Sequence, residues 1–196
     1  MSARSINMSE RIKLVPLSEK FINQKYLSWV NDPEVTEFLE IGNKRYQLED
    51  LFLYLHDSKI SGRLNYAVLA EESNQHIGNA SIYSIDKKNK KFEIGWFIGE
   101  KNFWGGHYAP MIIFYLHKIG FMELGLESCG GGVNEEHIKA RMTNKFIGYS
   151  EIEKIFAYSE KQNKYVASIK LHIYKSEWLA RAKELEQRYP QYYRLA

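Results

Sequence analysis

The run from Tyr108 to Leu124 constrains this chain more than any other stretch. Met111, Ile112, Ile113, Phe114, Tyr115, Leu116, Ile119, Phe121 and Met122 fill it so densely that a helix here must be buried on most sides. Just before it stands "FWGGHYAP", residues Phe103 to Pro110, and before that the strand-like "FEIGWFIG". In that strand Phe92, Ile94, Trp96 and Ile98 take one face, while Glu93, Gly95 and Phe97 take the other. The order strand, glycine turn, buried helix admits two readings. Paired glycines often do no more than turn a chain. They also let an anion approach the backbone where a helix start presents unpaired N–H groups and a partial positive charge. The stretch lacks the Gly-Lys-Ser/Thr of a Walker loop and the G-x-G-x-x-G of dinucleotide folds, which argues against nucleotide hydrolysis and hydride transfer.

The rest of the chain supplies partners for that helix. "RIKLVPL" alternates like a strand, and "SEKFINQKYLSWV" follows as a helix with Ser18 placed to cap it. "NDPEVTEFLE" predicts a further helix, with Asp32 as cap and Pro33 at the first helical position, and "LEDLFLYLHDSKI" is an amphipathic helix. "LNYAVLAEE", "QHIGNASIYSID" and "KKFEIGWFIG" form a meander of antiparallel strands. After the buried helix come a strand in "LESCGGGVN", a helix in "EEHIKARMTNKF", a hairpin from "SEIEKIFAYS" and "KYVASIKLHIY", and a terminal helix in "SEWLARAKELEQRY". The class is α+β on a mainly antiparallel sheet, with residues 1–10 a short polar tail and 11–196 one domain.

Composition excludes several function classes. The formal net charge of +3 comes without a clustered Lys/Arg stripe, so no nucleic-acid partner is expected. Cys129 is the one cysteine, leaving no internal disulfide, and no Cys/His group has zinc spacing, so no metal is expected. The polar first ten residues and the lack of a long apolar run lead to the expectation of a soluble cytoplasmic protein without a membrane partner.

In order and in local residues the chain resembles the GNAT superfamily of acetyl-coenzyme A-dependent N-acetyltransferases, especially the branch of ribosomal-protein alanine acetyltransferases. The likeness runs from Arg11 to Tyr174. The phosphate loop of that family reads Arg/Gln-x-x-Gly-x-Gly/Ala, with an aromatic-Trp-Gly-x-Gly-Tyr-Ala form in many members of the branch. Phe103-Trp104-Gly105-Gly106-His107-Tyr108-Ala109 matches it, with His107 at the family's central glycine. The resemblance implies a GNAT-like sheet and acetyl-coenzyme A (acetyl-CoA) as cosubstrate. Its pantetheine arm would lie along Trp96, Phe97 and Ile98, and its pyrophosphate on Trp104, Gly105, Gly106, His107, Tyr108 and Ala109. Asn134 would stand at the end of the neighbouring strand.

Direct acetyl transfer to an amine needs a group that takes a proton, and Glu93 is the candidate catalytic base, directly or through water. A solvated or salt-bridged carboxylate is the alternative for Glu93. Asn134 either bonds the cofactor or caps a helix. His107 either meets the pyrophosphate or faces solvent on the first helical turn. Gly130, Gly131 and Gly132 either mark a bulge and clear space for ligand or form a flexible strand end. Cys129 reads as a core residue. The helix after Asn134 lacks the tyrosine that many family members use as general acid, so no acid is assigned. The expected acceptor is a small-molecule amine such as a nucleotide-linked amino sugar. The alternatives are a protein N-terminus, or a non-catalytic acyl-CoA-binding or interaction domain. The aromatic content of 14 % is compatible with a homodimer interface under any of these.

Overall fold

In a computed structural model of the protein, residues 10–39, 41 and 44–195 are described. The expected tail lies outside them except for Glu10, whose carboxylate accepts hydrogen bonds from the Glu72 and Ser73 N–H groups. β1 (Ile12–Pro16), β2 (Leu64–Ala70), β3 (His76–Asp86), β4 (Lys91–Ile98), β5 (Ser128–Asn134), β6 (Ser150–Ser159) and β7 (Lys164–Tyr174) form one sheet. Its order is β1-β2-β3-β4-β5-β7-β6. Every pairing is antiparallel except β4 with β5. The helices are α1 (Gln24–Val30), α2 (Leu48–Ile60), α3 (Tyr108–Lys118), α4 (Ile138–Ile147) and α5 (Lys175–Arg188), with a π-helical turn, Ile119–Glu123, continuing α3.

Strand alternation sends side chains into two cores. On one face Met111, Ile112, Ile113, Phe114 and Leu116 of α3 are fully buried against Ile77, Ile82, Phe92 and Trp178. The density of the apolar run therefore does force burial on most sides. On the other face Tyr26, Trp29, Leu51 and Leu55 from α1 and α2 bury Ala67 and Leu69. β4 joins the two, with Phe92, Ile94, Trp96 and Ile98 in the first cluster and Phe97 in the second. Burial of each such large side chain contributes about 1.5–3 kcal/mol, so the sheet is clamped from both faces.

Two helix expectations need correction. Ser18 heads only a short 3-10 turn, Glu19–Phe21, without a side-chain cap. The cap of α1 is Asn23, whose Oδ1 accepts from the Tyr26 N–H at 3.1 Å. The helix expected from Asp32 and Pro33 is a series of turns through Leu39. There the Asp32 carboxylate accepts from the Glu34 N–H (2.9 Å) and the Thr36 hydroxyl donates to the Asp32 carbonyl (2.9 Å). These short polar side chains satisfy the backbone locally and compete with helix continuation. Lys101 pairs with both Asp32 (2.8 Å) and Glu34 (2.6 Å), fixing the turn to the segment after β4.

Many aromatics fill the two cores, while Phe156, Tyr158 and Tyr165 stay exposed on the β6–β7 hairpin at the sheet edge. Among the described residues no helix is long and apolar enough to cross a membrane.

Candidate active site

β4 and β5 pair over only three positions, Lys91↔Ser128, Phe92↔Cys129 and Glu93↔Gly130. Beyond them β4 stays on β3 as far as Gly78↔Ile98, and β5 stays on β7 as far as Asn134↔Ser168. The two strands part after Glu93, and the backbone edge of Ile94–Ile98 faces the gap. Gly130, Gly131 and Gly132 form the other side of it. Their pairing with β7 is unbroken, so they mark no bulge; a Cβ at Gly131 would meet no atom within 4 Å, whereas one at Gly132 would lie 3.2 Å from the Ser168 hydroxyl oxygen. A cavity of about 1310 Å³ runs through the split. On the α3 side Gly105, Gly106, Ala109 and Asn144 wall it, and on the α1–α2 side Tyr26, Tyr54, Arg63, Ser81 and Tyr83.

The glycine turn sits at the first end. The Trp104 indole donates to the Ile98 carbonyl (2.8 Å), which folds the chain back at the end of β4 and occupies that acceptor. Because the Gly99 N–H bonds to the Ile77 carbonyl, alternation along β4 turns the N–H and C=O of Phe97 toward β3 and those of Trp96 toward the gap, so Trp96 rather than Phe97 is the open backbone there. Gly105 (φ +100°) and Gly106 (φ +56°) are both left-handed, a conformation that favours residues without a Cβ. A Cβ at Gly105 would meet no atom within 4 Å, so the turn opens on free space. α3 starts immediately after. Its first intrahelical bond from this turn runs from the Met111 N–H to the His107 carbonyl (2.9 Å), and Pro110 has no N–H to satisfy. The N–H groups of Tyr108 and Ala109 have no carbonyl four residues back within the helix, and the positive end of the helix dipole lies with them. This fits a pyrophosphate group.

His107 takes neither of the places expected for it. Its Nδ1 lies 2.8 Å from the Tyr193 hydroxyl, and the ring stacks on Tyr192 at 4.5 Å. Burial lowers its pKa, so the ring is held neutral among the C-terminal tyrosines rather than pairing with an anion or facing solvent. Tyr108 also turns away, its hydroxyl accepting from the Glu10 N–H at 3.2 Å. Neither residue lines the cavity; what both contribute to the turn is backbone.

Glu93 stands at the point where the strands part, directly across from Tyr83. Tyr83, not Glu93, lines the cavity, and its pKa is raised by burial first and by the Glu93 charge second, so its hydroxyl stays protonated beside the carboxylate. A Cβ at Gly95 would lie 3.3 Å from the Tyr83 ring, so the glycine makes space for the tyrosine. The Asn134 Oδ1 accepts from the Glu136 N–H (2.8 Å), which makes it a turn residue on the cavity wall; the N-cap of α4 is His137.

Cys129 is fully buried and burial pushes its thiol pKa up to about 12, as suits a core residue. Its sulfur lies 3.1 Å from the Tyr149 hydroxyl, which in turn lies 2.8 Å from His117 Nε2. Among the described residues no group of His, Cys, Asp or Glu could hold a metal ion. Sequence reasoning missed Arg63, Tyr54, Ser81 and Tyr83. Part of the signal was present in "NASIY", where Asn79, Ser81 and Tyr83 alternate with apolar residues on one strand face.

Comparisons with known proteins agree with this geometry. The family model described as acetyltransferase (GNAT) domain matches residues 11–172. An uncharacterized N-acetyltransferase designated p20 from Bacillus licheniformis is 29 % identical over 110 residues, 55 % of this chain and 61 % of that protein. The crystal structure of spermidine N-acetyltransferase from Vibrio cholerae in complex with CoA and spermine superposes with a TM-score of 0.77 at 16 % identity, covering 86 % of this chain and 98 % of that one. A GCN5-related N-acetyltransferase from Brucella melitensis gives 0.76 at 17 % identity, covering 100 % and 87 %. At these identities the structural likeness shows the fold. The chain belongs to the GNAT acetyltransferase family, whose cosubstrate is acetyl-CoA. The relatives are generic or spermidine N-acetyltransferases and do not single out the ribosomal-protein branch.

Proposed function

We propose that the protein is an acetyl-CoA-dependent N-acetyltransferase that moves the acetyl group directly to the primary amine of a small molecule. One observation carries the reading: a single cavity crosses the sheet where β4 and β5 part, with an anion-binding backbone turn at one end and a polar side-chain wall at the other. In this reading Gly105, Gly106 and the first turn of α3 hold the pyrophosphate, and the free backbone edge at Trp96 holds the pantetheine arm, with Phe97 packed on the far face of β4. Trp104 fixes the turn to β4, and Asn134 shapes the far wall.

Acetyl-CoA supplies an acyl group already activated as a thioester. Glu93 takes the proton from the acceptor ammonium, through the Tyr83 hydroxyl or a water, so that the amine attacks as a neutral nucleophile. The C–N bond forms as the C–S bond breaks, and the proton that the nitrogen sheds in becoming an amide passes through solvent to the departing thiolate. No covalent enzyme intermediate is needed, in keeping with a buried Cys129. A nucleotide-linked amino sugar is one acceptor of this kind.

The test is incubation with acetyl-CoA and a panel of primary amines, following thiol release and the mass of the product. Acetylated product is expected with at least one small amine and is lost in Glu93→Gln. Thiol release without any acetylated amine, or none across the panel, contradicts the proposal.

A further inference from the structure

The α1–α2 end of the cavity has a wall whose chemistry acetyl transfer alone does not require. Arg63 follows the turn between α2 and β2, fixed by its N–H bond to the Ser58 carbonyl at 3.0 Å. Its guanidinium lies over the Tyr83 ring at 4.3 Å and over the Tyr54 ring at 5.9 Å. Nη2 reaches the Ser81 hydroxyl at 3.3 Å, and Nε is buried without a partner. Among the described residues no carboxylate lies within ion-pair distance of this permanently charged group.

Two further donors share the wall. Asn65 Nδ2 and Asn79 Nδ2 are buried and unpartnered, each amide oxygen being engaged, by the Tyr54 hydroxyl (2.9 Å) and the His76 ring (3.1 Å). Asn79 is only 7 % exposed. Unpaired buried donors beside a half-buried cation are costly unless an anion meets them. The carboxylates that line the same cavity do not serve. Glu34, Glu37 and Glu136 are exposed at its outer side, and Asp50 is tied to Lys44 at 2.9 Å.

We propose that the acceptor carries an anionic oxygen group, a carboxylate or a phosphate, besides its amine, and that Arg63 is the residue that binds it. The inference rests on the transferase reading and narrows it. Tyr83 stands between the two functions, across from Glu93 in the sheet and under the guanidinium of Arg63. One small molecule thus sets its amine at Tyr83, beside the base, and its anion at Arg63. A polyamine, cationic along its length, would set like charge against Arg63 instead.

The experiment compares matched amines on wild type, Arg63→Gln and Arg63→Lys. The panel holds amino acids against their amides, amino-sugar phosphates and nucleotide-linked amino sugars against the neutral amino sugars, and spermidine. The expected result is a preference of about 10- to 100-fold in kcat/KM for the anionic member of at least one pair, carried mainly by KM. The preference collapses towards one in Arg63→Gln and is partly restored in Arg63→Lys. Which pair shows it tells carboxylate from phosphate. Preference for neutral amines or spermidine, or equal ratios in wild type and Arg63→Gln, overturns the proposal. Calorimetric titration of the CoA-loaded protein with the same anionic amines reads the contact without turnover. Binding that Arg63→Gln abolishes supports the anion site even if no amine is acetylated, in which case the transferase reading falls alone. Undetectable binding together with absent turnover overturns both.

Discussion

In the reading proposed above, the two ends of the cavity recognise their ligands by different means. At the α3 end the groups that bind are backbone N–H atoms, presented by two left-handed glycines and a helix start. At the α1–α2 end they are side chains brought from separate elements, with Arg63 before β2 and Ser81 and Tyr83 on β3 lining the cavity, and Glu93 on β4 reached through Tyr83 or a water. A backbone site tolerates side-chain change as long as the chain keeps its path, whereas a side-chain site fails when one group is lost. The fate of His107 illustrates the first case. It stands where the family pattern has glycine, yet its ring turns into the C-terminal tyrosines and leaves the turn open.

This contrast can be broken or sharpened by substitution. The largest effect is expected at the side-chain end. Glu93→Gln should lower kcat by about 10²- to 10⁴-fold while the Kd for acetyl-CoA stays at the wild-type value. Steady-state kinetics beside calorimetry separate the two, and a matching loss of acetyl-CoA binding would show that Glu93 serves the wrong end. His107→Gly should do the reverse. Loss of the Tyr193 hydrogen bond and of the stack on Tyr192 should cost about 1–3 kcal/mol of stability, measured by urea unfolding, with acetyl-CoA affinity retained. A large loss of affinity at unchanged stability would make the imidazole itself a ligand.

The smallest effect concerns the core, where His117 of α3 is buried among Phe92, Phe121 and Trp178. Burial holds the pKa of His117 down to about 3, below its unfolded value near 6.5. Between those values the unfolded chain binds the proton and the folded chain does not. The stability contribution is therefore complete above about pH 6.5 and is lost as pH falls, at up to about 1.4 kcal/mol per unit. Unfolding midpoints taken from pH 7 to pH 5 should show this slope, and His117→Phe should flatten it.

The same contrast explains what was legible in the sequence. The antiparallel meander, the glycine turn and the buried α3 follow from alternation, from paired glycines and from apolar density, all local signals. Pairing of β4 with β5 is not local. Nothing within "FEIGWFIG" or "SCGGGVN" says that the two strands separate after Glu93, because the separation follows from β5 holding to β7. The expected helix at Asp32 failed for a related reason, since side-chain bonds of Asp32 and Thr36 and the distant Lys101 outweighed the Asp-Pro start signal. Arg63 carries no motif. Only the fold places its guanidinium over Tyr83, on the face opposite α3.

The most direct measurement is calorimetric titration of the protein with acetyl-CoA beside Gly105→Glu, with circular dichroism to confirm that the variant folds. Gly105 opens on free space, so glutamate there places bulk and negative charge in front of α3, at the cost of some backbone strain at φ +100°. Saturable one-site binding by wild type, abolished in a folded variant, is the predicted result. Equal binding by both, or none by wild type, would contradict the turn as the cosubstrate's anchor.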